Sequence, residues 1–168
     1  PEVDRLEEWI SSSRARWNGL VEDIPANAGS RLPKGRYCFA YEIVGQGKLQ
    51  IPPAGLREVI RASVVRHTGW PPFLYPTHSG NEPYPFDGAV ECWLGSEHAD
   101  AAHSDFWRIH PDGLAFLLRG YDEDGMRATT NTGELIRPAT VFDLAVPIWR
   151  VGEALLHARS LATNLFEG

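Results

Sequence analysis

The sequence predicts an α+β domain: an antiparallel sheet built around one central hairpin and covered by about three helices. Three observations lead there. His103 to Tyr121, HSDFWRIHPDGLAFLLRGY, is a pair of apolar segments joined by Pro111-Asp112-Gly113; Pro suits the second position of a type I turn, and Gly113 is free to take positive φ. Amphipathic helical patterns flank this stretch on both sides. A length of 168 residues suits one domain with a buried core, and positions 1–168 are read as a single unit. With His110 opposite Leu114, one hairpin face carries Trp107, Ile109, Ala115 and Leu117 and ends on an Asp105–Arg119 cross-strand pair. The other carries Phe106, Arg108, Phe116 and Leu118. Both faces are largely apolar, so the hairpin belongs at the centre of a sheet with cover on each side.

Along the chain, Val3 to Trp17 reads as a helix with Val3, Leu6, Trp9 and Ile10 on one stripe and acidic residues early, where the helix dipole favours them. Asn18 to Lys34 is a loop rich in turn residues. Arg36 to Val44 alternates as a strand with Tyr37, Phe39, Tyr41 and Ile43 on one side. Gly45-Gln46-Gly47 then turns the chain into a short strand, Lys48 to Ile51. That Gly-x-Gly has neither the third glycine nor the Lys-Ser/Thr of a phosphate loop, and is read as a turn. Pro52-Pro53 opens a helix to about His67 with Leu56, Val59, Ile60 and Val64 inward. Ala89 to Leu94 is a strand that makes a three-stranded meander with the hairpin, through a polar loop from Gly95 to Ser104. Asp122 to Pro138 is a solvated connection or a weak hairpin tip, and Thr140 to Ala145 alternates as a last strand. From Pro147 to Leu165 the repeat Ile148, Val151, Leu155, Ala158, Ala162, Leu165 predicts a helix that covers the sheet by that stripe. Gly152 costs about 1 kcal/mol there relative to Ala, which predicts close approach to a strand or to the surroundings of Trp149.

Composition narrows the function. Lys and Arg number 16 against 22 Asp and Glu, a net charge of -6, the wrong sign for a module that grips phosphates, so no direct nucleic-acid binding is expected. Cys38 and Cys92 lie far apart inside strand patterns, which suits reduced thiols and a cytoplasmic protein. No apolar run is long enough to span a bilayer and no signal peptide opens the chain; a start at Pro1 suggests one part of a longer protein.

Thr68 to Gly88, TGWPPFLYPTHSGNEPYPFDG, interleaves five prolines with Trp70, Phe73, Tyr75, Tyr84 and Phe86. Prolines exclude regular helix or sheet interior, yet the segment is too apolar for a disordered linker. It is either a lid packed on the core or a surface for a partner or ligand, and those five rings are the candidate contact residues. A second constellation, His98, Asp100, His103 and Asp105, with His110 and Asp112 beyond, has the side-chain types that Zn²⁺ or Mn²⁺ takes. Asp105 is better explained by Arg119, Asp112 by the turn and His110 by the hairpin end; a metal-dependent hydrolase on His98, Asp100 and His103 is the alternative reading. No cofactor and no catalytic nucleophile is legible, and a non-enzymatic role leads. Ser11-Ser12-Ser13 with Arg14 and Arg16 reads as a helix end bearing cations.

The runs GWPPFLYPT, PYPFDGAVECWLG, SDFWRIHPDGLAFLLRGYDED and VFDLAVPIWRVGEALLHARSLA resemble the C-terminal portion of bacterial proteins that begin with a Schlafen AlbA-like (divergent ATP-binding) domain. The resemblance covers roughly residues 68 to 165, and Val3 to Ile51 matches loosely. It carries over no site residue, because in that family nucleotide or nucleic-acid function is attributed to the N-terminal module. It implies an accessory sensor or interaction domain of a DNA-binding or regulatory protein, whose partners are other domains of the same protein, another protein or a small molecule.

Overall fold

A computed structural model describes residues 4–44, 51–125 and 129–166, the side chain of Pro53 excepted. Among the described residues the α-helices and strands follow in the order α1 (Arg5–Leu20), β1 (Tyr37–Glu42), α2 (Pro53–Ala62), β2 (Tyr84–Phe86), β3 (Ala89–Leu94), β4 (Asp105–Ile109), β5 (Leu114–Arg119) and α3 (Ala145–Phe166). The strands form one antiparallel sheet in the order β1-β5-β4-β3-β2, so the fold is α+β with the predicted hairpin inside it. Its register is the one that the turn dictates. Asp105 lies opposite Arg119, Trp107 opposite Leu117 and Ile109 opposite Ala115. The His110 amide donates to Leu114 O at 2.8 Å, and Gly113, at φ +85°, donates to His110 O at 3.0 Å.

Alternation along these strands sorts side chains onto two cores. On one face Trp107, Ile109, Leu117, Val90 and Cys92 meet Leu56 and Ile60 of α2, Leu161 and Leu165 of α3, and Phe73 and Tyr75 of the aromatic segment. On the other, Phe106, Phe116 and Leu118 pack under Trp9 and Trp17 of α1. Helix α1 begins where the Asp4 carboxylate accepts from the Leu6 amide at 2.9 Å, with Glu7 and Glu8 in its first turn. Its seam runs through Trp9, Ser13 and Trp17, with Leu6 and Ile10 at the margin; Val3 lies outside the described residues. Leu56 and Ile60 face inward from α2 as expected, but the helix stops at Ala62, where Ser63 folds its hydroxyl back onto Val59 O at 2.7 Å.

Four expectations need correction or fall outside view. The Gly45-Gln46-Gly47 turn and residues 48–50 of the short strand lie outside the described residues, and Ile51 is not in a strand. Thr140 to Ala145 is not a strand: Asp143 accepts from the amides of Ala145 and Val146, at 2.7 and 3.2 Å, and starts α3 there. Pro147 then sits in the first turn, where a missing donor costs nothing. A strand also hides within the proline-rich segment, where β2 pairs with β3 at the sheet edge; an edge tolerates Pro85 because one side of the strand needs no donor.

The fourth correction concerns the face of α3. Ile148, Val151 and Leu155 point to solvent, and the buried face is Arg150, Glu153, Ala154, His157, Leu161 and Leu165. A Cβ at Gly152 would meet nothing within 4 Å among the described residues, so the close approach expected of it is not made there. The apolar period was real, but charged and polar groups with fixed partners took the inner side. His157 shows how: its ring stacks on Phe73 at 4.3 Å between centroids, and its Nδ1 shares a 2.7 Å hydrogen bond with the Tyr41 hydroxyl.

Candidate functional site

Two buried ion pairs hold the start of the aromatic segment. From the hairpin, Asp105 and Arg119 form a doubly bonded pair with both side chains fully buried. Arg119 also donates to the carbonyls of Trp70, at 3.2 Å, and Pro71, at 2.8 Å, and Asp105 accepts from the Trp70 indole at 2.9 Å. From α3, Glu153 accepts the His67 amide at 2.8 Å and the Thr68 amide and hydroxyl at 2.7 Å each. Arg150 donates to Thr68 Oγ1 at 2.6 Å and to Trp70 O, and reaches Asp122 at 3.2 Å. Burial works against the Glu153 charge, but the Thr68 and His67 donors and Arg150 outweigh it and hold its carboxyl below the usual range. Farther along, the Trp107 indole donates to Leu74 O at 2.8 Å. Apart from those inside the ion pairs and Arg150 to Asp122, these bonds each span at least 33 positions in sequence, so the sheet and α3 set the path of residues 67–74.

This anchoring leaves Trp70 between two hollows. One, of about 640 Å³, lies between Leu74, Tyr75 and His78 on one side and Leu94, Ser96 and Ala99 on the other. The second, of about 550 Å³, is walled by Ile136, Val141 and Phe142 and has Asp100, Asp122, Glu123 and Asp143 at its polar side. Trp70 and His103 line both, packed edge to face with ring centroids 5.2 Å apart. The polar groups are engaged in structure: Glu123 accepts the Asp143 amide at 2.5 Å, Asp122 pairs with Arg150, and Asp100 caps Ala102 at 3.1 Å.

The five candidate rings do not form one surface. Trp70 lines both hollows, Tyr75, 9% exposed, lines the first, and Phe73 is wholly in the core. Tyr84 and Phe86 sit on β2 near α1. There Arg16 stacks 3.8 Å over the Phe86 ring and donates to the buried Glu91 at 2.7 Å, and burial together with Glu91 pushes the Tyr84 phenol up to about 12. Among the metal-type residues, His98 is exposed and 3.0 Å from Glu97, while His103 Nδ1 is 3.8 Å from Asp100. No group of three or more His, Cys, Asp or Glu among the described residues is placed to hold a metal ion.

Sequence reasoning missed Arg150, Glu153 and Arg16. The signal for the first two was present as an i,i+3 pair of opposite charge, but such a pair is ordinarily a solvated helix surface. Comparison with family models, curated proteins and solved structures found no match for this chain. No helix among the described residues is long and apolar enough to cross a membrane.

Proposed function

We propose that this is a non-enzymatic recognition domain, with Trp70 at the centre of a preformed groove that takes a segment of another domain or protein. The observation that carries this reading is the anchoring of residues 67–74 by Asp105–Arg119 and Arg150–Glu153. A loop already fixed loses little entropy on binding, and an aromatic ring offers large contact area with few torsions to freeze. Carboxylates beside Trp70 and Phe142 suit a ligand that brings a cationic side chain next to an apolar one. The net charge of -6 favours the same partner and disfavours phosphate backbones. On the resemblance to proteins with an N-terminal AlbA-like module, that segment belongs to the same regulatory protein, in a cytoplasmic setting where Cys38 and Cys92 stay free.

The test is a nuclear magnetic resonance titration with short peptides that carry Lys or Arg beside Leu or Ile, against matched peptides with Glu in place of the cation. Basic peptides should shift the Trp70 indole resonance, Trp70→Ala should weaken binding at least tenfold, and Tyr84→Ala, on the far side of the sheet, should leave it unchanged. If neither series moves Trp70 at millimolar peptide, the recognition reading fails.

A further inference from the structure

Helix α3 turns an apolar face outward. Leu144, Ile148, Trp149, Val151, Leu155 and Leu156 are 76, 73, 61, 48, 68 and 44% exposed. At about 100° per residue, Ile148, Trp149, Leu155 and Leu156 lie on one side of the helix with Gly152 at the middle, opposite the buried Arg150, His157 and Leu161. Single apolar side chains on a surface are ordinary, but three turns of one helix bearing them on one face are not.

We propose that this face joins two copies of the chain, with their α3 helices packed antiparallel about a twofold axis at Gly152. A twofold interface must be complementary to itself, and the pattern about Gly152 is. Four positions before it stands Ile148 and four after it Leu156; three before stands Trp149 and three after Leu155. In the antiparallel pair Ile148 therefore meets Leu156 of the second copy, and Trp149 meets Leu155. Gly152 supplies a second argument. It sits in a helix interior, where it costs about 1 kcal/mol relative to Ala, and a Cβ there would meet nothing within 4 Å among the described residues, so packing against them does not explain it. Close approach of a second backbone at the axis does.

The ends of the seam agree in charge. Arg159, exposed, comes opposite Ala145 of the second copy, two residues and about 3 Å along the axis from Asp143, the exposed carboxylate that caps that helix. Opposite charges thus meet at both ends of an otherwise apolar strip. At the exposures given, the four seam side chains present on the order of 500 Å², and Leu144 and Val151 at the margin bring this to on the order of 700 Å², against the ~800 Å² that each partner contributes to a standard interface. The apolar residues of this seam line neither hollow beside Trp70; Asp143, at its end, also lies on the second hollow, and the substitutions that test the seam leave it in place.

Sedimentation equilibrium on the 168-residue chain should give twice the chain mass, with dissociation at micromolar concentration or below. Trp149→Glu and Leu155→Glu change exposed positions, so each should keep its far-ultraviolet circular dichroism and sediment as a monomer. Facing Cα atoms of helices about 8–10 Å apart lie about 3.4–5.4 Å apart, a range that overlaps the Cα spacing of a disulfide. Gly152→Cys should therefore cross-link to a covalent dimer under mild oxidation far faster than Leu135→Cys, at an exposed site away from α3. A monomer at every concentration overturns the proposal and leaves the face to a different partner. So does a dimer that survives Trp149→Glu, or equal cross-linking at positions 152 and 135.

Discussion

Asp105→Ala should destabilise the domain by about 3–5 kcal/mol, measured as a lowered urea midpoint at unchanged slope. Arg119 would be left charged and fully buried with only neutral partners, the carbonyls of Trp70 and Pro71 and the Tyr37 hydroxyl, and the Trp70 indole would lose its acceptor. With a total stability of about 5–15 kcal/mol for a domain, such a loss populates the unfolded state visibly on warming. The single variant measures the cost of an orphaned charge, which exceeds what the pair adds. Asp105→Leu with Arg119→Met, an apolar pair of similar size, should therefore recover much of the stability while loosening residues 70 and 71. A loss under 1 kcal/mol for Asp105→Ala would show that Arg119 escapes to solvent and that the pair is not the anchor described.

Acid should weaken the fold well above the carboxylate range, by about 2 kcal/mol between pH 7.5 and pH 5. Burial lowers the His157 imidazole to about 3, against about 6.5 in an unfolded chain. Between those values the unfolded state binds a proton that the folded state does not, so stability rises with pH across that window and falls as pH drops through 6.5. His157→Gln, which keeps a partner for the Tyr41 hydroxyl, should remove most of this slope, leaving the smaller part from His110, which burial also lowers, and any that lies below pH 4.5. Unfolding by urea at a series of pH values checks it; an unchanged slope in His157→Gln would assign the effect elsewhere.

What the sequence made legible is what short-range chemistry decides. Pro111-Asp112-Gly113 sets the hairpin register from within three residues, and alternation on either side then assigns Trp107 and Phe106 to opposite cores. The inward face of α3 was not legible for a physical reason. Arg150, Glu153 and His157 are buried because Thr68, Trp70, Asp122 and Tyr41 receive them, and none of those partners is near in sequence. A burial rule based on hydropathy therefore chose the opposite side of the helix. The same limit applies to Arg16, which reads as an exposed helix-end cation and in fact reaches Glu91 on β3. The groove was legible in part. The density of rings and prolines in residues 68–88 marked the segment, but only the sheet order separates Trp70 and Tyr75 from Tyr84 and Phe86.

Hydrogen exchange at the two indoles that pin the segment tests the preformed groove most directly. In the isolated domain, the Trp70 indole N–H held by Asp105 and the Trp107 indole N–H held by Leu74 should be protected, together with the Thr68 amide on Glu153. Glu153→Gln should speed exchange at Thr68 and leave Trp107 protected. Free exchange of Trp70 and Thr68 in the wild-type domain, with the β4 and β5 amides still protected, would show that residues 67–74 order only on binding and would contradict a groove built in advance.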